Sequence, residues 1–535
     1  MSEPAPLHEL LARVVAPVAA PPPAAWRFPL GTMQALNQRL AERPSLNFVN
    51  ATLRGIGQVI FANNPVSGLI ILVAMFVQSP WLGLMSLVGV ISATAMAMAM
   101  RLAPDAIQNG VFGLNGLLVG AAMGFAGRAG NGPWNPVWIA AAVLLSALAT
   151  VVMHTLGTWF VTRLKAAPLG VAFNAVMLVF FLVVVFVPQT LFDLGPSPAP
   201  FPAESIDGLR LARSLPAGLG QVFFSDGVIP LLLIVVAVGI CTPIGLVVAL
   251  LGCAISLVAG LSLGARPGEM YLGLWGYNAV LSATAIGGVF YAPNWRSITL
   301  GSICAFLASA GSIVLARWLA PLPVLSIPFT IVTVGCFWVV RRTIPSLVPV
   351  ALHAVASPEE HRQRHAVASE VISQFRRALT AASRHEQRVS LFDQAPSVEK
   401  HELRRVFDAI DHDHSGELSP AEIEGHLASA GISGAELALM LECLDVDRDG
   451  LISFEEFGEL LLRHRRLMSR YDQFFTYFMP IDADGDDVIS IDEMNNAMRS
   501  VGERPLSSAE TEQLQRRAQG QPLTWDRFIQ VLLLT

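Results

Sequence analysis

Three twelve-residue stretches near the C-terminal end carry oxygen donors at a spacing that suits a hard cation. In residues 411–422 the donors at positions 1, 3, 5, 7, 9 and 12 are Asp411, Asp413, Ser415, the Glu417 carbonyl, Ser419 and Glu422, with Gly416 at the sharp turn. In residues 445–456 they are Asp445, Asp447, Asp449, the Leu451 carbonyl, Ser453 and Glu456, with Gly450 at the turn. Residues 482–493 offer Asp482, Asp484, Asp486, the Val488 carbonyl, Ser490 and Glu493, but Asp487 stands at the turn and the glycine is displaced to Gly485. Carboxylates and carbonyls in this order point to Ca2+.

A second set of polar residues lies in apolar sequence. Gln58 precedes Phe61 by three residues, and Gln221 precedes Phe224 by three, which on a helix puts each amide and ring on one face. Asn63, Asn64, Asn115, Asn278 and Ser326 are the other polar groups within the long apolar runs. Amide carbonyls accept N–H groups, and phenylalanine rings flank a flat, weakly polar molecule. The plainer alternative is that the glutamines cap helix ends and the rings face lipid. Intramembrane carboxylates or charged rings, the usual equipment of ion-coupled carriers and ion channels, are nearly absent, and His154 stands alone.

These residues need elements to hold them, and composition divides the chain in two. Mean hydropathy is +0.54, and only 14% of the 535 residues are charged. Residues 1–352 hold 16 Lys/Arg and 9 Asp/Glu, whereas residues 353–535 hold 19 and 32, a net charge of −13. A membrane part followed by an acidic, water-exposed part is expected. Apolar runs predict spans near 65–79, 80–100, 107–127, 134–160 and 168–190, then 226–240, 241–264, 270–291, 297–318 and 322–340. Several are short or interrupted by glycine, as half-helices facing a cavity are.

The two sets of spans are copies. QVIFAN (58–63) matches QVFFSD (221–226), and GVFGLNGLLVG (110–120) matches GLWGYNAVLSA (273–283), both at an offset of 163. An odd number of spans per copy predicts opposite orientations, with a shared site near the midplane. The fold class expected is all-α: two inverted five-span repeats with pore half-helices, plus a soluble helical domain. The expected divisions are a flexible arm (1–45), repeat 1 (46–190), a linker (191–217), repeat 2 (218–345), a helical connector (346–398) and the ion-binding region (399–535). Arg27, Arg39, Arg43 and Arg54 before the first span, and Arg341 and Arg342 after the last, place both termini in the cytoplasm of a bacterial inner membrane. No signal-peptide pattern is read at the N-terminus, and Cys241, Cys253, Cys304 and Cys336 read as single buried residues.

In the acidic part the loops resemble EF-hands. Leu418 and Ile452 stand where paired loops form a short ribbon, and GQPLTWDRF (520–528) echoes the second loop with Arg527 in place of the bidentate glutamate. Two pairs of hands are expected, the fourth without metal. Met440, Met468, Met479, Met494 and Met498 fit either a target groove or an ordinary core. Residues 357–405 fit either a membrane-surface helix or a solvated linker helix.

FANNPVSGLIILVAMFVQSPWLGLMSLVG, GVFGLNGLLVGAAMG, GLWGYNAVLSATAIGGVFY and LPVLSIPF resemble the urea transporter family of bacteria and animals over about residues 45–345. The resemblance implies a homotrimer whose protomers each conduct urea passively through a narrow pore in the bilayer. It implies Gln58 and Gln221 as the amides at the two mouths, Phe61 and Phe224 as the aromatic slot, and Leu118 and Leu281 as walls of the constriction after Asn115 and Asn278. Ser326 keeps a hydroxyl where the family has threonine, while the counterpart segment APLGVAFN offers only Gly170. Calcium control of flux through the tail is a further expectation, including contact of the tail with the membrane part. The alternatives are a channel for short amides, water or ammonia, and a membrane-anchored calcium sensor. No enzyme chemistry and no nucleic-acid partner are expected.

Overall fold

The structure is a computed structural model that describes residues 30–164, 166–187, 190–196, 201–202, 205–344, 347, 350, 357–383, 390–419, 422–423, 450–468, 488–518, 521–524 and 527–528. The chain divides into a membrane unit ending at Gln363 and a second unit beginning at Arg364. Its described elements are almost all helical.

Proline and polar caps set where the membrane helices start. The first copy contains α1 (Gln34–Leu40), α2 (Pro44–Gln58), α3 (Pro65–Gln78), α4 (Pro80–Ala99), α5 (Pro104–Gln108), α6 (Gly113–Ala126), α7 (Pro136–Trp159, continued by a π turn to Leu164) and α8 (Val171–Phe186). The second contains α9 (Gly208–Arg213), α10 (Ala217–Gln221), α11 (Val228–Cys241), α12 (Pro243–Ser262), α13 (Pro267–Tyr271), α14 (Tyr277–Thr284, continued by a π turn to Val289), α15 (Trp295–Leu319) and α16 (Ile327–Thr343). Asn64 accepts from the amides of Val66 and Ser67 to cap α3, and Ser79 and Thr242 cap the equivalent α4 and α12. Pro at the first helical position costs nothing there because its missing N–H has no helical partner.

The duplication is legible in the backbone. The helices α3, α4 and α5 begin and end 163 residues before α11, α12 and α13. Among the described residues, four helices are long and apolar enough to cross a membrane: α4, α7 with its extension, α12 and α15. The apolar helices α3, α8, α11 and α16 are shorter. The 14 residues of α3 rise about 21 Å, less than the hydrocarbon thickness of about 30 Å. One core draws on both copies, with Ile56, Ile71 and Leu117 joined by Leu219, Ile234 and Val280. The Ser67 hydroxyl donates to the Ala237 carbonyl at 2.6 Å, tying α3 to α11.

Two expectations change here. Residues 30–45, assigned to a flexible arm, are folded against the membrane unit: Thr32, Met33 and Asn37 are buried. Arg54, read as a surface charge marking the cytoplasmic side, is fully buried. Its guanidinium donates to the carbonyls of Thr32 (2.7 Å), Asn63 (2.7 Å) and Met33 (2.9 Å), which is how a buried cation is made tolerable.

The remaining helices are α17 (Pro358–Ser383), α18 (Leu391–Gln394), α19 (Ser397–Ile410), α20 (Phe454–Met468), α21 (Ile491–Ser500) and α22 (Ser508–Arg517). A two-residue ribbon pairs β1 (Glu417–Leu418) with β2 (Ile452–Ser453), Leu418 opposite Ile452. Phe407, Leu418, Ile452 and Phe457 form one apolar cluster. A second contains Phe375, Ile489, Met494, Met498 and Phe528, so these two methionines are buried against α17. The α17 face of Ala368, Ile372, Phe375 and Leu379 belongs to that second cluster, so this face of the connector is buried within the second unit.

Candidate solute pathway and ion-binding loops

A cavity of about 220 Å3 lies in the membrane unit between the two copies. Gln58, Phe61, Leu118, Gln221, Phe224, Leu281 and Ser326 all line it, with Gly170, Leu114, Tyr277 and Phe329 among the other walls. Residues 163 apart in sequence thus meet around one space.

The rings are aimed by two identical helix ends. The amide of Phe61 donates to the Gln58 carbonyl and that of Ala62 to the Gly57 carbonyl; Phe224 and Ser225 repeat this on Gln221 and Gly220. This is a Schellman ending, whose left-handed position ordinarily takes glycine. Phe61 (φ 60°) and Phe224 (φ 54°) hold that position instead, at a cost of about 1–2 kcal/mol each. The same ending at Gly110 and Gly273 uses glycine, because a Cβ there would strike Gly55 and Gly218 at 2.3 and 2.5 Å. Strain accepted for a side chain marks a position where the side chain matters. Phe61 packs edge-on to Phe290 with centroids 5.9 Å apart, and Phe224 lies 5.2 Å from Phe125.

The residues that open α8 and α16 also line the cavity. Gly170 precedes α8 and Ser326 precedes α16, each after a leucine with positive φ, Leu169 and Leu325. A Cβ on Gly170 would lie 2.8 Å from Ser326 Oγ, so one hydroxyl occupies the space of two. That hydroxyl donates to Asn174 Oδ1 at 3.0 Å.

Asn115 and Asn278 do not line the cavity; they are fully buried behind it. Asn115 Oδ1 accepts from the amide of Phe173 in the first turn of α8 (3.0 Å), and Asn278 Oδ1 accepts from Phe329 in the first turn of α16 (3.4 Å). Each satisfies an orphan amide of a half-helix and so positions Gly170 or Ser326. The rest of the pairing is unequal. Asn278 Nδ2 donates to Ser312 and Leu325, while Asn115 Nδ2 is buried without a partner. Gln221 Nε2 donates to the Leu272 carbonyl at 2.9 Å, while Gln58 Oε1 is buried without a partner.

In the acidic unit the first loop is assembled for a cation. Carboxylate oxygens of Asp411, Asp413 and Glu422 lie within 4.8 Å of one another, and Gly416 takes φ 85° at the turn. Hydrogen bonds from the Ser415 hydroxyl and amide hold Asp413 below the usual carboxylate range, and those from Ser419 do the same for Glu422. This donor set fits Ca2+: all oxygen, anionic and wound about one point. Of the second loop, Gly450, Leu451, Ser453 and Glu456 are described, with Gly450 at φ 84°. Asp445, Asp447, Asp449, Asp482, Asp484 and Asp486 lie outside the described residues, as do Met440 and Met479. In the third loop Val488 bridges to Thr524, and Glu493 accepts from Ser490 in a capping box, as Glu456 does from Ser453.

Comparison with known proteins now adds to the geometry. Residues 49–341 match the family model "Urea transporter", and residues 400–462 match "EF-hand domain pair". The chain belongs to the urea transporter family. Urea transporter 1 of sheep (Ovis aries) and of goat (Capra hircus) are each 30% identical over 349 residues, covering 64% of this chain and 89% of theirs. Urea transporter 1 of mouse (Mus musculus) is 29% identical over 339 residues, covering 62% and 87%. As a member of that family the chain is an integral membrane protein, and its tail carries an EF-hand pair beyond the region the family model covers.

Sequence reasoning missed α2 as a helix, the burial of Arg54 and the wall positions Leu114 and Tyr277. The Tyr277 hydroxyl donates to the Leu325 carbonyl at 2.7 Å, fixing the turn before Ser326. The available signal was the offset itself, which places Tyr277 opposite Leu114.

Proposed function

We propose that this member of the urea transporter family conducts urea passively, down its gradient, through the cavity between its two copies. The observation that carries the reading is the cavity's polar content: the amides of Gln58 and Gln221 with the hydroxyl residues Ser326 and Tyr277, on otherwise apolar and aromatic walls. Gln58 and Gln221 serve as the amide ligands, Phe61 and Phe224 flank the flat solute, Leu118 and Leu281 wall the constriction, and Ser326 supplies the central hydroxyl. Asn115 and Asn278 act from behind by bracing the half-helices. The names of the relatives, urea transporters of sheep and mouse, support urea as the solute.

Finer points belong to the same proposal. The protein works as a homotrimer in the inner membrane, with both termini in the cytoplasm, and Ca2+ held by the EF-hands modulates flux. Asp411, Asp413, Ser415, the Glu417 carbonyl and Glu422 hold one ion, and the second loop holds another.

Uptake into proteoliposomes of urea, formamide, acetamide, ammonia and water, with and without micromolar calcium, tests this. Urea uptake well above that of empty vesicles and above the other solutes is expected. A water or ammonia permeability exceeding that of urea favours the channel for other small solutes. Uptake equal to empty vesicles for every solute, with calcium still bound, favours a membrane-anchored calcium sensor.

A further inference from the structure

The helix α17 contributes residues to both units: Pro358–Gln363 to the membrane unit and residues from Arg364 onward to the second. Along its later part it is bound on two adjacent faces. Ala368, Ile372, Phe375 and Leu379, spaced by four, three and four, are buried among Ile489, Met494, Met498, Leu514, Leu523 and Phe528. Phe375 meets Phe528 edge-on with centroids 5.6 Å apart. Ser369, Ser373, Arg376 and Thr380 share the same spacing on the neighbouring face. Ser369 donates to the Val501 carbonyl (3.3 Å), Ser373 to Glu503 (2.7 Å) and Thr380 to Glu510 (2.6 Å). Arg376, itself buried, donates to Glu503 (2.9 Å) and to the carbonyls of Arg504 (2.7 Å) and Pro505 (3.2 Å).

An EF-hand pair ordinarily lays an amphipathic helix into its apolar groove, with methionines adapting to the shape. Here the groove around Met494 and Met498 already holds such a helix, and eight of its residues read the groove by side chain.

The start of the same helix is fixed within the membrane unit. Glu359 Oε1 accepts from the amide of Ile244 at the start of α12 (2.6 Å), and Glu360 accepts from the Thr32 hydroxyl. The Thr32 carbonyl in turn accepts from Arg54 (2.7 Å), which lies one helical turn before Gln58 on α2.

We infer that residues 368–380 are the target of the second EF-hand pair, held in cis, and that the ion state of this pair reaches the pore through Glu360, Thr32 and Arg54. The second half of this inference rests on the calcium control proposed above. Grip and release of one helix face supply a two-state element, which a coupling route requires.

Hydrogen exchange on the full chain in lipid vesicles tests the first half without any transport measurement. Protection of residues 368–380 is expected to change about tenfold between calcium and chelator. Glu493→Gln in the third loop should abolish that change, and Glu422→Gln in the first loop should leave it. Equal protection in calcium and chelator, or a change abolished by Glu422→Gln but kept by Glu493→Gln, overturns the assignment of the target. For the route, Glu360→Gln should remove the calcium effect on urea uptake while keeping the exchange difference and the uptake measured in chelator. A calcium effect that survives Glu360→Gln, or a wild type whose uptake ignores calcium, overturns the route. Protein that shows ion-dependent protection yet carries no urea contradicts the solute reading and leaves the internal target in place.

Discussion

The two halves of the membrane unit share a backbone plan, yet their polar atoms are paired differently. Both halves end a helix on a left-handed phenylalanine and brace a half-helix with an asparagine. In the second half Gln221 and Asn278 each spend their amide nitrogens on partners within the protein. In the first half Gln58 Oε1 and Asn115 Nδ2 are buried and unpaired. The middle is unequal too, with Gly170 facing Ser326. Duplication therefore preserved what aims the groups and changed what satisfies them.

The strongest way to break that comparison is to restore its symmetry. Gly170→Thr adds a Cβ 2.8 Å from Ser326 Oγ and a hydroxyl where only one fits. Overpacking of this kind costs about 1–3 kcal/mol, so urea uptake should fall roughly ten- to a hundredfold. The double change Gly170→Ser/Ser326→Gly moves the hydroxyl to the other half and should recover most of that loss in the same uptake assay.

Next come the amides taken singly. Gln58→Leu removes the unpaired acceptor and should lower uptake about tenfold, and Gln221→Leu should lower it less, because part of that amide is already committed to Leu272. Equal losses would erase the distinction drawn between the halves. Stability should show the opposite order. Asn278→Leu breaks bonds to Ser312, Leu325 and Phe329 and should cost about 2–4 kcal/mol in thermal unfolding of the solubilised protein. Asn115→Leu removes an unpaired donor together with one acceptor contact and should cost about 1 kcal/mol.

The smallest effect expected separates the helices packed on α17 from the EF-hand pair by acid. Burial pushes the Glu510 carboxyl up, but hydrogen bonds from Thr380 and Ser507 and the charge of Arg376 outweigh it and bring it down to about 2. A carboxylate with a depressed native pKa stabilises the fold above its unfolded value, and that contribution is lost as pH falls from about 4.5 towards 2. Melting of the cluster around α17, followed in that window, should drop by a few degrees more in the wild type than in Glu510→Gln. No such difference would mean that the carboxylate does not hold α17.

How much of this was legible beforehand follows from where the signal resides. Apolar runs locate α3, α4, α7, α12 and α15 to within a few residues, and fixed ligand spacing locates the loops, because both patterns are local. The offset of 163 brought Gln58 and Gln221 together before any coordinates did. Arg54 was illegible because its partners, the carbonyls of Thr32, Met33 and Asn63, are set by tertiary packing and leave no mark in residue type. For the same reason α2 was not read as an element of its own: the sequence 44–58, almost all within the expected repeat 1, is only mildly apolar, and its burial comes from what closes over it. Asn115 and Asn278 were picked out by type and motif, but whether an amide faces a cavity or the helix behind it depends on a side-chain direction that spacing does not encode. The connector's apolar face was visible, and its occupant was not.

The central claim is that two amides brought together by an internal duplication form the solute path. Stopped-flow urea uptake by vesicles holding equal amounts of folded wild type or Gln58→Leu/Gln221→Leu tests it most directly. The account predicts fast uptake by the wild type and a rate near that of empty vesicles for the double variant. Undiminished, urea-selective uptake by the double variant would contradict it.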